Sequence, residues 1–241
     1  MSRHEPMFNV PASVLALLGL LFGVQALRWS LPEVWDAWLT LALAFIPARY
    51  SGYAEALPGG SVASVTSFLT YAVVHGDLVH LGVNAAWLVA FGGAVANRVG
   101  TVRFLMLSAF CAIVGAFTFL VCNPGLMAPM VGASGAVSGL MGATMRFLFS
   151  TLDREGFRGL RENPQGVPPM ALGRALADRR VLLVTGAFIA ANIFAMLGLG
   201  GVSAGGIAWE AHLGGYFAGL LTFGFFERAP TVHSPDRTIL H

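Results

Sequence analysis

The stretch VGASGAVSGLMGATM (Val131–Met145) carries four glycines and two serines, and it holds no charged residue. Its small residues recur at a spacing of four, with Gly135 and Gly139 in one row and Ser138 and Gly142 in another. Rows of this kind let two helices pack closely inside a bilayer. We therefore predict a membrane helix here that has a close helical neighbour.

The composition of the whole chain also indicates a membrane protein. Of its 241 residues, 56% are hydrophobic and 11% are charged, whereas a soluble domain has about 25% charged residues. The net charge of +2 is too small to indicate a nucleic-acid partner. Cys111 and Cys122 form no CxxC pair and have no histidine near them, so we expect no disulfide, metal site or cofactor.

Several segments are long and apolar enough to cross a bilayer, which requires about 17–25 residues per helix. We expect an all-α polytopic membrane protein, a six-transmembrane-helix bundle, as one membrane domain over 12–226. It would lie between a short cytoplasmic N-terminus (1–11) and a cytoplasmic tail (227–241). The predicted spans are about 12–27, 78–95, 104–121, 134–149, 181–199 and 210–226.

Two segments near the N-terminus leave alternatives open. The apolar run Ala37–Ile46 is short and has charged and aromatic flanks, so we predict an interfacial helix within an amphipathic outer loop, Arg28–Val65. The first span contains VQA (Val24–Ala26), which resembles a signal-peptide cleavage site. The weakly charged segment before it favours a retained span.

The arginine distribution predicts the orientation. With six spans, both termini lie on one side, together with the polar loop Thr151–Arg180, which we expect to be a linker with one short helix. Two arginines, Arg28 and Arg49, fall on the opposite side. The side that holds the termini has eleven: Arg3, Arg98, Arg103, Arg154, Arg158, Arg161, Arg174, Arg179, Arg180, Arg228 and Arg237. The positive-inside rule makes that side cytoplasmic, and we expect a multi-pass protein of a bacterial inner (plasma) membrane.

Polar residues inside the predicted spans are functional candidates, because ionisable groups are costly in a bilayer. His80, Ser134 and His212 all lie near the outer ends of their spans. Ser134 to the end of its span at 149 is about 24 Å of helix at about 1.5 Å per residue, against a hydrocarbon core of about 30 Å. Ser134 is therefore expected several Å below the outer surface. The other polar residues in or beside the spans are His75, Asp77, Asn84, Asn192 and Glu210.

The serine and histidine suggest nucleophilic chemistry. A serine needs a base to take its proton, and the candidate base is His212. Gly215 and Gly219 lie on the same helical face as His212, so this face can pack closely against the helix that begins at Ser134.

A developing oxyanion also needs hydrogen-bond donors. Ser134 begins a helix, where its backbone N–H has no helical partner. His80 and Asn84 are one helical turn apart and can donate to the same oxygen. Gly132 and Gly135 permit the turn and the approach of a substrate carbonyl.

A carboxylate that would orient His212 is missing from the pattern. Glu210 is two residues away, about 200° around the helix, and Asp77 precedes a different helix. The GxSxG elbow of soluble hydrolases is also absent, because position 136 is Ala. We therefore expect a Ser–His dyad without a third member.

Four motifs, taken together, resemble the rhomboid family of intramembrane serine proteases. They are HGDLVHLGVN (His75–Asn84), FGGAVANRVG (Phe91–Gly100), GASG (Gly132–Gly135) and EAHLGGYFAG (Glu210–Gly219). The resemblance implies a six-helix core. It also implies cleavage of single-span or polytopic membrane-protein substrates within the lipid bilayer.

The resemblance also implies site roles. Ser134 would be the nucleophile and His212 the general base, with His80, Asn84 and the Ser134 N–H as the oxyanion hole. His75 would be a loop histidine with a structural or water-handling role. Some members carry an aromatic residue one turn after the nucleophile, stacked on the base. This chain has Ser138 there, so other packing must orient His212.

Two rival functions fit the sequence less well. A non-catalytic rhomboid-like binder of transmembrane segments would be marked by loss of the serine or the histidine, and both are present. A small transporter would show internal repeats and polar breaks near the midplane. The sequence has no such repeat, and its polar groups cluster at one end of the spans.

Overall fold

The computed structural model describes residues 10–198 and 207–227, and these residues are almost entirely helical. Short 3₁₀ turns cover Pro47–Ser51 and Tyr71–Val73, and a π-helical turn, Leu88–Gly92, joins α4 to α5. One isolated antiparallel bridge pairs Phe45 with Met130. The helices are α1 Ala12–Ser30, α2 Glu33–Leu43, α3 Gly60–Thr70, α4 Leu78–Trp87, α5 Gly93–Val99, α6 Thr101–Cys122, α7 Ser134–Met145, α8 Leu148–Glu162, α9 Leu172–Ala177, α10 Arg179–Met196 and α11 Trp209–Phe226.

Four helical segments among the described residues are long and apolar enough to cross a membrane. They are Ala12–Ser30, Leu78–Val99, Thr101–Cys122 and Arg179–Met196. They correspond to the first, second, third and fifth predicted spans. The fourth and sixth predicted spans fall on α7 and α11, which have 12 and 18 residues.

The helix α7 ends at Met145, earlier than the predicted boundary at 149. The reason is local, because Arg146 is buried and donates to the carbonyls of Leu220 and Met170 at 3.0 and 2.9 Å. Phe147 then leaves helical geometry, with φ −135°. The chain restarts as α8, so α7 alone is shorter than a full span.

The helices α7 and α11 pack backbone to backbone along their glycines. A Cβ atom at Gly215 would collide with the carbonyl of Gly135, and one at Gly219 would collide with the carbonyl of Gly139. On α6, a Cβ at Gly115 would lie 2.8 Å from the carbonyl oxygen of Ala211. These contacts place α6, α7 and α11 at the centre of the bundle, and they bring the starts of α7 and α11 to the same level.

The segments outside the predicted spans are more helical than expected. The Thr151–Arg180 region contains most of α8, which bends at Gly156 (φ 65°), and all of α9. Buried Arg98 holds this region to the bundle, because it donates to the carbonyls of Pro164 and Val167 at 2.6 and 2.9 Å.

A helix, α2, lies close to the predicted segment Ala37–Ile46, with its bounds at Glu33–Leu43. Pro32 is the N-cap of this helix. Proline has no backbone N–H to donate to a preceding turn, so it occurs at helix starts and disrupts helix interiors. The helix ends where Phe45 pairs with Met130. Three segments lie outside the described residues: the predicted N-terminal segment up to residue 9, residues 199–206, and the predicted tail from residue 228.

Candidate active site

Ser134 and His212 are hydrogen-bonded to each other. Ser134 is the first residue of α7, and His212 lies in the first turn of α11. Ser134 Oγ and His212 Nε2 are 2.7 Å apart, although the residues are 78 positions apart in sequence. Both side chains are half-buried. The glycine contacts between α7 and α11 make this approach possible.

The turn before Ser134 is fixed by the segment that precedes α4. Gly132 has φ +117°, a conformation that glycine adopts without a Cβ penalty. Its N–H donates to the carbonyl of Tyr71 at 2.9 Å. The next N–H, of Ala133, donates to His75 Nε2 at 3.3 Å. These two bonds set the direction in which α7 begins.

The two predicted oxyanion donors lie against this turn. A Cβ atom on Gly132 would lie 2.5 Å from His80 Nε2 and 3.8 Å from Asn84 Nδ2, so both side chains face the residue two positions before Ser134. Asn84 is buried, and its amide also donates to the carbonyl of His80 at 3.0 Å. The structure thus brings His80, Asn84 and the start of α7 together.

His75 is buried beside the same turn. Its carbonyl accepts a hydrogen bond from Arg28 Nη1 at 2.5 Å, and its ring packs edge-to-face on His80 with centroids 5.0 Å apart. Burial first, and then the charges of His80 and Arg28, lower the pKa of His75 to about 4. The ring is therefore neutral near pH 7, as it must be to accept the Ala133 N–H.

The carboxylates near the site have other partners. Glu210 Oε1 accepts a hydrogen bond from Asn123 Nδ2 at 2.9 Å. Asp77 is the N-cap of α4 and accepts from the backbone N–H of His80 at 2.8 Å. Ser138, the position that is aromatic in some similar proteins, is buried on α7.

One polar contact of the site was missed by sequence reasoning. Asn192, on α10, places its Oδ1 2.8 Å from His212 Nδ1. The sequence showed Asn192 only as a polar residue within the fifth predicted span. Its polarity was the available signal, because polar residues inside a span are functional candidates.

The arrangement is suited to activation of the Ser134 hydroxyl. Its oxygen is hydrogen-bonded to His212 Nε2, and Asn192 contacts the other nitrogen of the same imidazole ring. Among residues 10–198 and 207–227, no group of three or more His, Cys, Asp or Glu side chains is placed to hold a metal ion.

The fold and the sequence comparisons together define a multi-pass integral membrane protein with a helical fold. Residues 62–228 match the family model of the Rhomboid domain, and the chain belongs to the rhomboid family. It is similar to Rhomboid protein 1, mitochondrial, of Saccharomyces cerevisiae, with 31% identity over 133 residues. That match covers 54% of this chain and 34% of the yeast protein, so the chain spans about a third of that relative's length. The family predicted from the four motifs is confirmed.

Proposed function

We propose that this protein is an intramembrane serine endopeptidase that hydrolyses peptide bonds in or near the transmembrane segments of other membrane proteins. The observation that carries the proposal is the 2.7 Å contact between Ser134 Oγ and His212 Nε2 at the start of two closely packed helices. Membership of the rhomboid family supports the same reaction class.

In the proposed reaction, His212 Nε2 takes the proton of Ser134 Oγ as the oxygen attacks the substrate carbonyl. The tetrahedral intermediate then breaks its C–N bond, and His212 returns the proton to the leaving amine. Water, deprotonated by the same imidazole, then attacks the acyl-enzyme. The bond between Ser134 Oγ and the acyl carbon breaks, His212 returns the proton to Oγ, and the second product leaves. Each proton passes through one nitrogen, which is why a dyad can complete the cycle.

The negative oxygen of each intermediate needs donors that are already in place. The proposed donors are the Ser134 N–H, His80 and Asn84. The contact of the His80 ring with Gly132 supports this role, because the ring is held beside the residue where a substrate carbonyl must enter. The neutral His75, bonded to Ala133 N–H, supports the turn and is proposed as a structural residue.

We further propose six spans, with α7 and α11 as the fourth and sixth and with both termini in the cytoplasm of a bacterium. The excess of arginines on one side supports this orientation. The proposed substrates are single-span or polytopic membrane proteins, which reach the site from the lipid bilayer. No nucleic-acid partner is proposed.

The test is cleavage of a model single-span protein by the purified protein in liposomes. Ser134→Ala and His212→Ala should abolish cleavage while the fold is retained. Ser108→Ala is a matched control, because Ser108 is a buried serine on α6 whose hydroxyl donates only to its own helix, to the carbonyl of Phe104. A Ser134→Ala variant that cleaves as fast as Ser108→Ala would refute the proposal. Substrate binding without cleavage by the unmodified protein would instead identify a non-catalytic binder.

A further inference from the structure

The general base has a partner on its second ring nitrogen. His212 contacts Ser134 through Nε2 at 2.7 Å and Asn192 through Nδ1 at 2.8 Å. A ring held at both nitrogens has a fixed plane and a fixed position. This supplies the orienting contact that the chain lacks at Ser138, where some similar proteins carry a stacked aromatic ring.

A second contact determines which end of the Asn192 amide faces the base. The Asn192 Nδ2 group donates to the carbonyl of Phe188, one turn earlier on α10, at 2.8 Å. A carbonyl oxygen can only accept, so the NH₂ end of the amide must point to Phe188. The oxygen end is left to face His212 Nδ1.

This orientation selects the tautomer of the base. Because the Asn192 oxygen can only accept, His212 Nδ1 must carry the proton and donate it. In a neutral imidazole the other nitrogen, Nε2, is then an acceptor, and it faces the Ser134 hydroxyl. The chain of contacts from Phe188 through Asn192 to His212 therefore prepares Nε2 to take the serine proton.

We propose that Asn192 is a positioning residue, a neutral third member behind the Ser134–His212 pair that fixes the orientation and tautomer of the base. The inference rests on the proposed serine protease function and deepens it. Asn192 touches neither the substrate nor the reacting atoms, so its effect passes through His212. Because it is an amide, it sets the tautomer without placing a carboxylate in the membrane.

The helix that carries Asn192 provides a matched control. In the membrane-length window of α10 only 11% of the residues are buried inside the protein, against 44% for α6. A second polar contact also joins α10 to α11, between Thr185 Oγ1 and Tyr216 OH at 2.7 Å. Removal of the Thr185–Tyr216 bond weakens the contact between α10 and α11 but leaves the two hydrogen bonds of His212 in place.

The experiment measures kcat and KM for a model single-span substrate in liposomes, with the full-length chain. Asn192→Leu removes the acceptor and keeps a similar branched shape. It should lower kcat by roughly 10- to 100-fold, the effect of leaving one buried hydrogen-bonding group without its partner. KM should stay within about twofold, since ground-state binding of the substrate is not involved. Labelling of Ser134 by a fluorophosphonate should slow in parallel.

Two further variants separate positioning from helix docking. In its protonated form, Asn192→Asp keeps the shape, an O–H donor for the Phe188 carbonyl and an acceptor oxygen for His212 Nδ1. It should therefore restore kcat to within about fivefold of the unmodified protein. Thr185→Val should leave kcat within about twofold. Thermal unfolding identifies variants that do not fold, and Asn192→Ala replaces Asn192→Leu if the leucine is not accommodated.

The inference is overturned if Asn192→Leu keeps its kcat, if Thr185→Val loses as much as Asn192→Leu, or if folded Asn192→Asp is as slow as Asn192→Leu. These results differ from failure of the proposed function. An unmodified protein that neither cleaves substrate nor reacts at Ser134 would overturn both. An active unmodified protein with an equally active Asn192→Leu would overturn the positioning role alone.

Discussion

Substitution of Gly132 by alanine should damage catalysis more than it damages the fold. Gly132 lies two residues before the proposed nucleophile, and the His80 ring lies against the position that a Cβ atom on Gly132 would take. The added methyl carbon would lie 2.5 Å from His80 Nε2 and 2.6 Å from Cε1. We expect the ring to move, because the backbone of this turn is tied to Tyr71 and His75 by hydrogen bonds.

The size of the effect follows from these distances. An ordinary van der Waals contact begins near 3.4 Å, so the His80 ring must retreat by about 0.9 Å. A misplacement of about 1 Å at a catalytic group can cost about 100-fold in rate. The left-handed backbone at Gly132, with φ +117°, adds strain of about 1–3 kcal/mol for a residue with a side chain. We therefore expect a kcat lowered by about 100-fold and an unfolding temperature lowered by a few degrees.

Gly52→Ala separates the two contributions. Gly52 also has a left-handed backbone, with φ +94°, but a Cβ atom there would have no neighbour within 4 Å. It should show a similar loss of thermal stability with an almost unchanged kcat. The assay compares substrate cleavage and thermal unfolding of both variants in the same lipid. If Gly132→Ala turns over substrate as fast as Gly52→Ala, then His80 is not held in the oxyanion site by this turn and the reasoning is wrong.

Three other predictions test different parts of the account. Asp77→Asn should keep most of the activity, because asparagine caps a helix about as well as aspartate, and Glu210→Gln should do the same because it keeps the acceptor for Asn123. A folded Asp77→Asn as inactive as Ser134→Ala in the cleavage assay would rule out a dyad. The topology is tested with single cysteines placed in a variant without the native cysteines. In intact cells, a cysteine at Gln165 should be protected from an impermeant maleimide, and one at Pro58 should react. The reverse pattern would contradict the proposed topology. Finally, a substrate span with Gly or Pro in its outer half should be cut faster than a uniform leucine span at equal membrane insertion. The span must unwind to expose its carbonyls, and unpaired backbone groups are costly in lipid. Equal rates would show that unwinding does not limit the reaction.

The sequence predicted the positions of the helices that form the bundle, because apolar length and small-residue rows are local signals. The glycine rows on α7 and α11 are a clear case, since Gly135 and Gly139 meet Gly215 and Gly219 in the structure. The early end of α7 was not predictable in this way. It depends on Arg146, whose partners at Leu220 and Met170 come from distant parts of the chain.

Part of the candidate site could likewise be predicted from the sequence. Depth arguments brought His80, Ser134 and His212 to one level, and the structure joins Ser134 to His212 by a hydrogen bond. The contact from Asn192 was not predicted, because it depends on how α10 is rotated against α11. No spacing along the chain encodes that rotation.

The central claim is that Ser134 is an activated nucleophile, and its reaction with a fluorophosphonate tests this most directly. The full-length protein in lipid should be labelled covalently, with the adduct on the peptide that contains Ser134. Ser134→Ala should remain unlabelled and His212→Ala should react far more slowly, while Ser108→Ala should react as the unmodified protein does. Equal labelling of the unmodified protein and a folded Ser134→Ala, or no labelling of either, would contradict the account.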